Sequence, residues 1–152
     1  MIYLLDVNVL LAVSYEIHDL HKRTVAWLTS LEEADPPVRL ATCSITELGF
    51  IRVAGGAAGL TQNVNTALGD LNRLKKQRPM MFLNDGLPGD QLPQWVAKPK
   101  HVTDGHLLQL AAVYGGVFAT LDSGIPGALL IPGITTDPPF VRERIQRYGA
   151  AA

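Results

Sequence analysis

The chain predicts a three-layer α/β/α domain with a mostly parallel sheet of about five strands. Two observations carry that prediction. Short, continuous apolar runs recur along the sequence, of the kind a strand buried on both faces shows. Stretches with apolar residues at three- and four-residue spacing separate most of them, and strands alternating with helices build parallel sheets.

Taken in order, residues 2–5 (Ile-Tyr-Leu-Leu) read as the first strand, and a helix is expected from about Val9 to Ser14. Residues 18–32 follow as a second helix, with Leu20, Thr24, Trp27, Leu28 and Leu31 on one stripe. Asp35-Pro36-Pro37 stops it, and residues 38–41 form a second strand. Ser44 opens a third helix that Gly55-Gly56 ends near Ala54. A fourth covers residues 61–76, with Val64, Leu68, Leu71 and Leu74 expected on its inner side, and residues 80–83 are a third strand.

Residues 84–99 are rich in Gly, Pro, Asn and Asp and read as a long loop, with a short helix expected around 91–96. A clear helical pattern runs from Thr103 to Tyr114 and stops at Gly115-Gly116. Residues 117–121 and 128–131 are the last two strands. The expected organisation is one domain over residues 1–135 and a C-terminal tail, 136–152, whose charged segment 142–147 suits a short helix or an arm.

At 152 residues, a single domain buries roughly two thirds of its unfolded surface. Apolar residues at 47% and charged residues at 18% exclude wholesale disorder. The formal net charge of −1 excludes a general basic coat, so nucleic-acid binding would need a local patch or a metal. The one cysteine, Cys43, excludes an internal disulfide and a thiolate zinc cage, which suits a reducing cytoplasm. The opening residues lack a basic leader and no stretch reaches the ~20 apolar residues of a spanning helix, so a cytoplasmic protein away from membranes is expected.

Four acids fall where an apolar run ends or a helical pattern starts: Asp6, Glu47, Asp104 and Asp122. Each has an ordinary explanation. Asp6 suits a helix cap, and Ser44-Ile45-Thr46-Glu47 reads as a capping box. Asp104 sits in a first helical turn, and Asp122 before Ser123-Gly124 suits an Asx turn. Together they suggest more, because strand ends and helix starts line the crevice of an α/β fold. Carboxylates gathered there repel unless a hard cation neutralises them, and Mg2+ or Mn2+ suits an all-oxygen site.

The local wording resembles the PIN-domain nucleases, most closely the VapC-type toxins of toxin–antitoxin pairs. Leu-Asp6-Val-Asn8 looks like the first motif, and Thr-Glu47-Leu-Gly-Phe-Ile-Arg52 the second. Thr103-Asp104-Gly-His-Leu resembles the third and Ala-Thr120-Leu-Asp122 the fourth. The resemblance implies a metal-dependent endoribonuclease that leaves a 5′-phosphate and a 3′-hydroxyl. It implies that Asp6, Glu47, Asp104 and Asp122 are catalytic and hold the metal, with Asn8 and Thr120 as polar supports; Ser123, just after the fourth acid, is placed as a further donor by its position alone. A protein antitoxin and a homodimer are implied as well. Arg52, Lys98 and Lys100 are placed to meet RNA phosphates.

Competing readings stay in view. A PIN-like module that binds RNA or protein without cutting is the main one. An aspartyl-phosphate phosphatase would use Asp6 as nucleophile, but Asn8 stands where its second Asp belongs. His18 and His21 lack a further metal ligand at suitable spacing. His106 lies about 200° around the helix from Asp104, and His101 precedes it; neither is needed as a base.

Overall fold

The computed structural model describes residues 1–56, 60–61 and 63–134; the expected tail and its charged segment lie outside them. Five strands form one sheet in the order β3-β2-β1-β4-β5, every neighbouring pair parallel. They are β1 (Ile2–Leu5), β2 (Arg39–Cys43), β3 (Met80–Leu83), β4 (Val117–Thr120) and β5 (Leu129–Leu130). The helices are α1 (Val7–Ser14), α2 (His21–Glu32), α3 (Ser44–Ala54), α4 (Val64–Gln77) and α5 (Val102–Val113).

Side-chain alternation along the strands divides the core in two. Leu5 and Ala119, with Tyr3 and Leu40 beside them, pack against α1, α2, α3 and α4. Leu4, Ala41, Cys43, Leu83 and Phe118 point the other way and pack against Leu107, Leu110 and Ala111 of α5. That gives the three layers. α1 buries Val7, Val9, Leu10, Leu11, Ala12 and Val13, so it is apolar nearly all round, as a helix enclosed by neighbours must be.

Several boundaries differ from the sequence expectation for local reasons. α1 starts two residues early because Asp6 caps it. α2 starts at His21 rather than 18, since the His18 ring accepts the Leu20 N–H and holds a turn there. β2 runs on to Cys43. α4 starts at Val64 because Asn63 caps it, its Oδ1 accepting the Thr66 N–H at 2.7 Å. Its inner stripe is Ala67, Leu71 and Leu74, whereas Val64 and Leu68 are exposed, which corrects the stripe read from the sequence.

No helix forms over 91–96. Those residues stay a loop that closes the α5 side of the core with Leu87 and Trp95. Trp95 packs there beside the His101 ring, with centroids 5.9 Å apart. Gly105 admits the loop: a Cβ at that position would stand 2.4 Å from Val96 Cγ2. A 3-10 turn, Pro99–His101, leads from the loop into α5.

Candidate active site

The strand order itself says where to look. The chain lays down β1, β2 and β3 in one direction, then returns to place β4 on the other side of β1. Ligands of open α/β sheets bind beyond the carboxyl ends of the strands at such a reversal. Those ends are Leu5, followed by Asp6, and Thr120, followed by Leu121 and Asp122.

Asp6 is buried and does two jobs at once. Its Oδ1 accepts the Val7 N–H at 2.7 Å, capping α1, and its Oδ2 accepts the Thr120 hydroxyl at 2.6 Å. Thr120 Oγ1 in turn accepts the Asp122 N–H at 3.0 Å and the Asn8 side-chain amide at 3.3 Å. One donated proton and two accepted bonds exhaust a hydroxyl, so Thr120 is fully committed. Asn8 Oδ1 accepts the Leu121 N–H at 3.1 Å. The two strand ends are thus tied together through Asn8 and Thr120.

Asp122 is half-buried, and its Oδ1 accepts the Gly124 N–H at 2.8 Å, closing the Asx turn expected there. Ser123 is exposed. Asp104, in the first turn of α5, is 8% exposed and has no hydrogen bond or ion pair to its side chain among the described residues. Burial is the chief force on it, followed by the charges of Asp6 and Asp122, and its carboxyl is pushed up to about 7. Burial also pushes Asp6 up to about 6, against the Thr120 and Val7 hydrogen bonds and together with the Asp122 charge. Three acids therefore share one negative corner, and no cation among the described residues neutralises it.

Glu47 takes other partners. Its Oε1 accepts the Thr42 hydroxyl at 2.6 Å and Lys75 Nζ at 2.5 Å. Lys75 Nζ also stands 5.9 Å from the centroid of the Phe82 ring. The capping box expected from Ser44 is not formed: Cys43 is the N-cap, and its N–H is accepted by Thr46 Oγ1 at 3.0 Å. Glu47 is consequently free of the helix start, and it turns to α4. Sequence reasoning missed Lys75 and Thr42, because a partner 28 residues away leaves no local signal.

A cavity of about 280 Å³ opens beside the acids. Asp6 and Val7 line it, with Thr103, Asp104 and Leu107 from α5. α3 contributes Ile45, Leu48, Gly49 and Arg52, spaced i, i+3, i+4 and i+7 and so on one helical face. Glu47 lies about 150° around the helix from that face. Gly49 lets α3 come close, since a Cβ there would stand 2.6 Å from Val7 Cγ2. Lys98 and Lys100 are exposed and outside this lining.

The histidines are otherwise engaged. His21 Nδ1 is 2.8 Å from the Ala12 carbonyl, and His106 Nε2 is 2.6 Å from Asp85 Oδ2.

The donor chemistry of the corner fits a hard divalent ion. Asp104 is a buried carboxylate without a partner, and Asp6 keeps one acceptor position on each oxygen beyond the bonds it makes. The side chains have not converged into a coordination shell: among the described residues no group of three His, Cys, Asp or Glu has metal-holding geometry. Asp6, Asp104 and Asp122 would have to close on the ion, and Glu47 would have to leave Lys75 to join them.

No protein-family model matches the chain. Among curated proteins it is similar to three ribonucleases of Mycobacterium tuberculosis. VapC38 is 36% identical over 128 residues, 80% of this chain and 86% of the relative. VapC44 is 35% identical over 139 residues, covering 87% and 93%, and VapC39 is 31% identical over 133 residues, covering 82% and 91%. Among solved structures, a chain of VapBC2 from Rickettsia felis bound to a DNA fragment from its promoter aligns over 86% of this chain and 97% of its own. At 12% identity and a TM-score of 0.49 it adds no weight. Identity of this level across most of both lengths is sufficient: the chain belongs to the VapC ribonuclease family.

Proposed function

We propose that this protein is an endoribonuclease that hydrolyses RNA phosphodiester bonds with Mg2+ or Mn2+, and that it is the toxin of a toxin–antitoxin pair. The observation that carries the reading is Asp104, buried and unpartnered beside Asp6 and Asp122. Such an arrangement costs stability unless a cation enters it. The ribonuclease names of the relatives support the same activity.

Asp6, Asp104 and Asp122 would hold the ion, with Glu47 joining only after leaving Lys75. When bound, a divalent metal polarises a phosphoryl oxygen and acidifies water. The chain's own contribution is positional. Thr120 fixes the Asp6 carboxylate at 2.6 Å and, by accepting the Asp122 N–H, sets where the fourth acid starts. Asn8 locks the strand end that carries both. An aspartyl-phosphate route is disfavoured because Asn8, at the acid/base position, is engaged with Thr120 and Leu121.

Sequencing the ends of RNA cut by the purified protein, with Mg2+ and with a chelator, tests the activity. The expected products carry 5′-phosphates and vanish with the chelator. Cleavage indifferent to chelation would remove the metal, and no cleavage of any RNA would favour the binding-only module. A cognate antitoxin that blocks the acidic corner and a homodimer belong to the same proposal, as does the cytoplasm, which suits the buried free thiol of Cys43. Light scattering after size exclusion tests the dimer; a monomeric mass at micromolar concentration would remove it.

A further inference from the structure

The cavity holds one residue that the acids leave unused. Arg52 lies on the α3 face that lines it, in the last turn of that helix, and is exposed. It shares the cavity with Asp6 and Asp104 and pairs with neither, nor with any other described residue. No ion pair joins its guanidinium to either carboxylate, although all three side chains line the same space. The positive end of the cavity therefore stands off from the negative end. Most of the remaining lining is apolar: Val7, Ile45, Leu48 and Leu107.

That separation suits one chemical group. A phosphodiester carries two non-bridging oxygens, and one can face a cation held by the acids while the other meets a guanidinium fork. The apolar part of the lining takes the sugar or base edge attached to it. A space of about 280 Å³ lies at the low end of small-ligand pockets, enough for a nucleotide-sized group of a single strand and too little for a paired one. Lys98 and Lys100, exposed and outside the lining, are left to the flanking phosphates.

We infer that Arg52 holds the scissile phosphate of single-stranded RNA across the cavity from Asp6 and Asp104, as a positioning residue. The inference rests on the ribonuclease reading above and deepens it. Its alternative is a cation that merely complements the carboxyl end of α3.

The test separates these. A fluorescein-labelled single-stranded oligoribonucleotide is titrated in Mg2+ against the Asp104→Asn protein, which should not cut, with Arg52 intact, as Arg52→Lys or as Arg52→Ala. Anisotropy is read over a range of salt. Arg52→Ala should weaken binding about tenfold and flatten the salt slope by about 0.7, the signature of one lost single-strand phosphate contact. Arg52→Lys should keep the slope. In the otherwise wild-type protein Arg52→Lys should slow single-turnover cleavage, because a point charge replaces a fork.

Affinity and slope unchanged in Arg52→Ala would overturn the inference. So would a labelled duplex that binds as tightly as the single strand. A helix-end role alone predicts a lower melting temperature with an unaltered slope, and Arg52→Gln supplies the same reading should the alanine variant fold poorly. Failure of the wild-type protein to cut RNA in Mg2+ would instead strike the proposed function, while the binding slope still reports on Arg52.

Discussion

Two acidic corners sit at the carboxyl edge of one sheet, on opposite faces, and have opposite electrostatics. On the α5 face, Asp104 and Asp6 are buried with Asp122 close by, and the described residues offer them no cation. On the α4 face, Thr42 alternates with Ala41 and Cys43 and so points away from α5, and Glu47 is held there by Thr42 and Lys75. Residue type and position in the fold are alike in both. What differs is whether the tertiary structure delivers a partner. An acid at a strand end or helix start is thus open to a metal where the fold supplies no cation, and must first be released where it supplies one.

The sharpest way to break the comparison is to neutralise one corner at a time. Asp104→Asn should abolish RNA cleavage, beyond the about 10–100-fold that loss of a supporting partner costs, and should stabilise the metal-free protein at neutral pH. Equal cleavage by variant and wild type in a single-turnover assay would contradict the site.

The next effect is pH. In the unfolded chain both aspartates titrate near 3.8, whereas in the fold they titrate at about 6 and about 7. Above pH 4 the folded state holds more protons than the unfolded one, so stability falls as pH rises. The loss continues through the folded values and levels off about one pH unit above the higher of them, on the order of 3 kcal/mol for Asp6 alone and about 4 kcal/mol for Asp104 alone. Urea titrations of metal-free protein at pH 5 and pH 8 should show the decline, and added Mg2+ should reverse it at pH 8 more than at pH 5. A profile that rises with pH would contradict the uncompensated corner.

Smaller changes refine the contrast. Thr120→Val removes the donor that Asp6 depends on and should cost about 1–3 kcal/mol in equilibrium unfolding, with the Asp6 carboxyl moving further up. Gly49→Ala would press a methyl into Val7 and should cost about 1–3 kcal/mol, with slower cleavage as α3 is pushed off the cavity. Lys75→Met, which breaks the other corner, should cost only about 1 kcal/mol, because both partners keep some solvent. Should Lys75→Met prove stabilising, the two corners would be alike after all.

The layout of the domain was legible where local chemistry is decisive. β1, α3 and β3 have the bounds their apolar runs and glycine stops imply, and the structure joins Asn8 to Thr120 and Thr120 to Asp6 by hydrogen bonds. Legibility failed where a distant group decides. The α4 stripe was misread because Asn63, not Thr61, starts the helix and Ala67 is the residue that packs. Glu47 looked like a capping acid because nothing local reveals Cys43 as the cap or Lys75 as the partner. The 84–99 segment, poor in periodicity, folds by resting Trp95 and Val96 on the core, which no local pattern announces.

That last contact has a mechanical consequence. Gly105 follows Asp104 directly, and the loop at Val96 bears on bare backbone there, with no side chain to cushion it. Surface loops tolerate substitution and length change. Any remodelling of this one bears on the backbone next to the Asp104 carboxylate, so turnover can be retuned by drift in a segment that supplies none of the four acids.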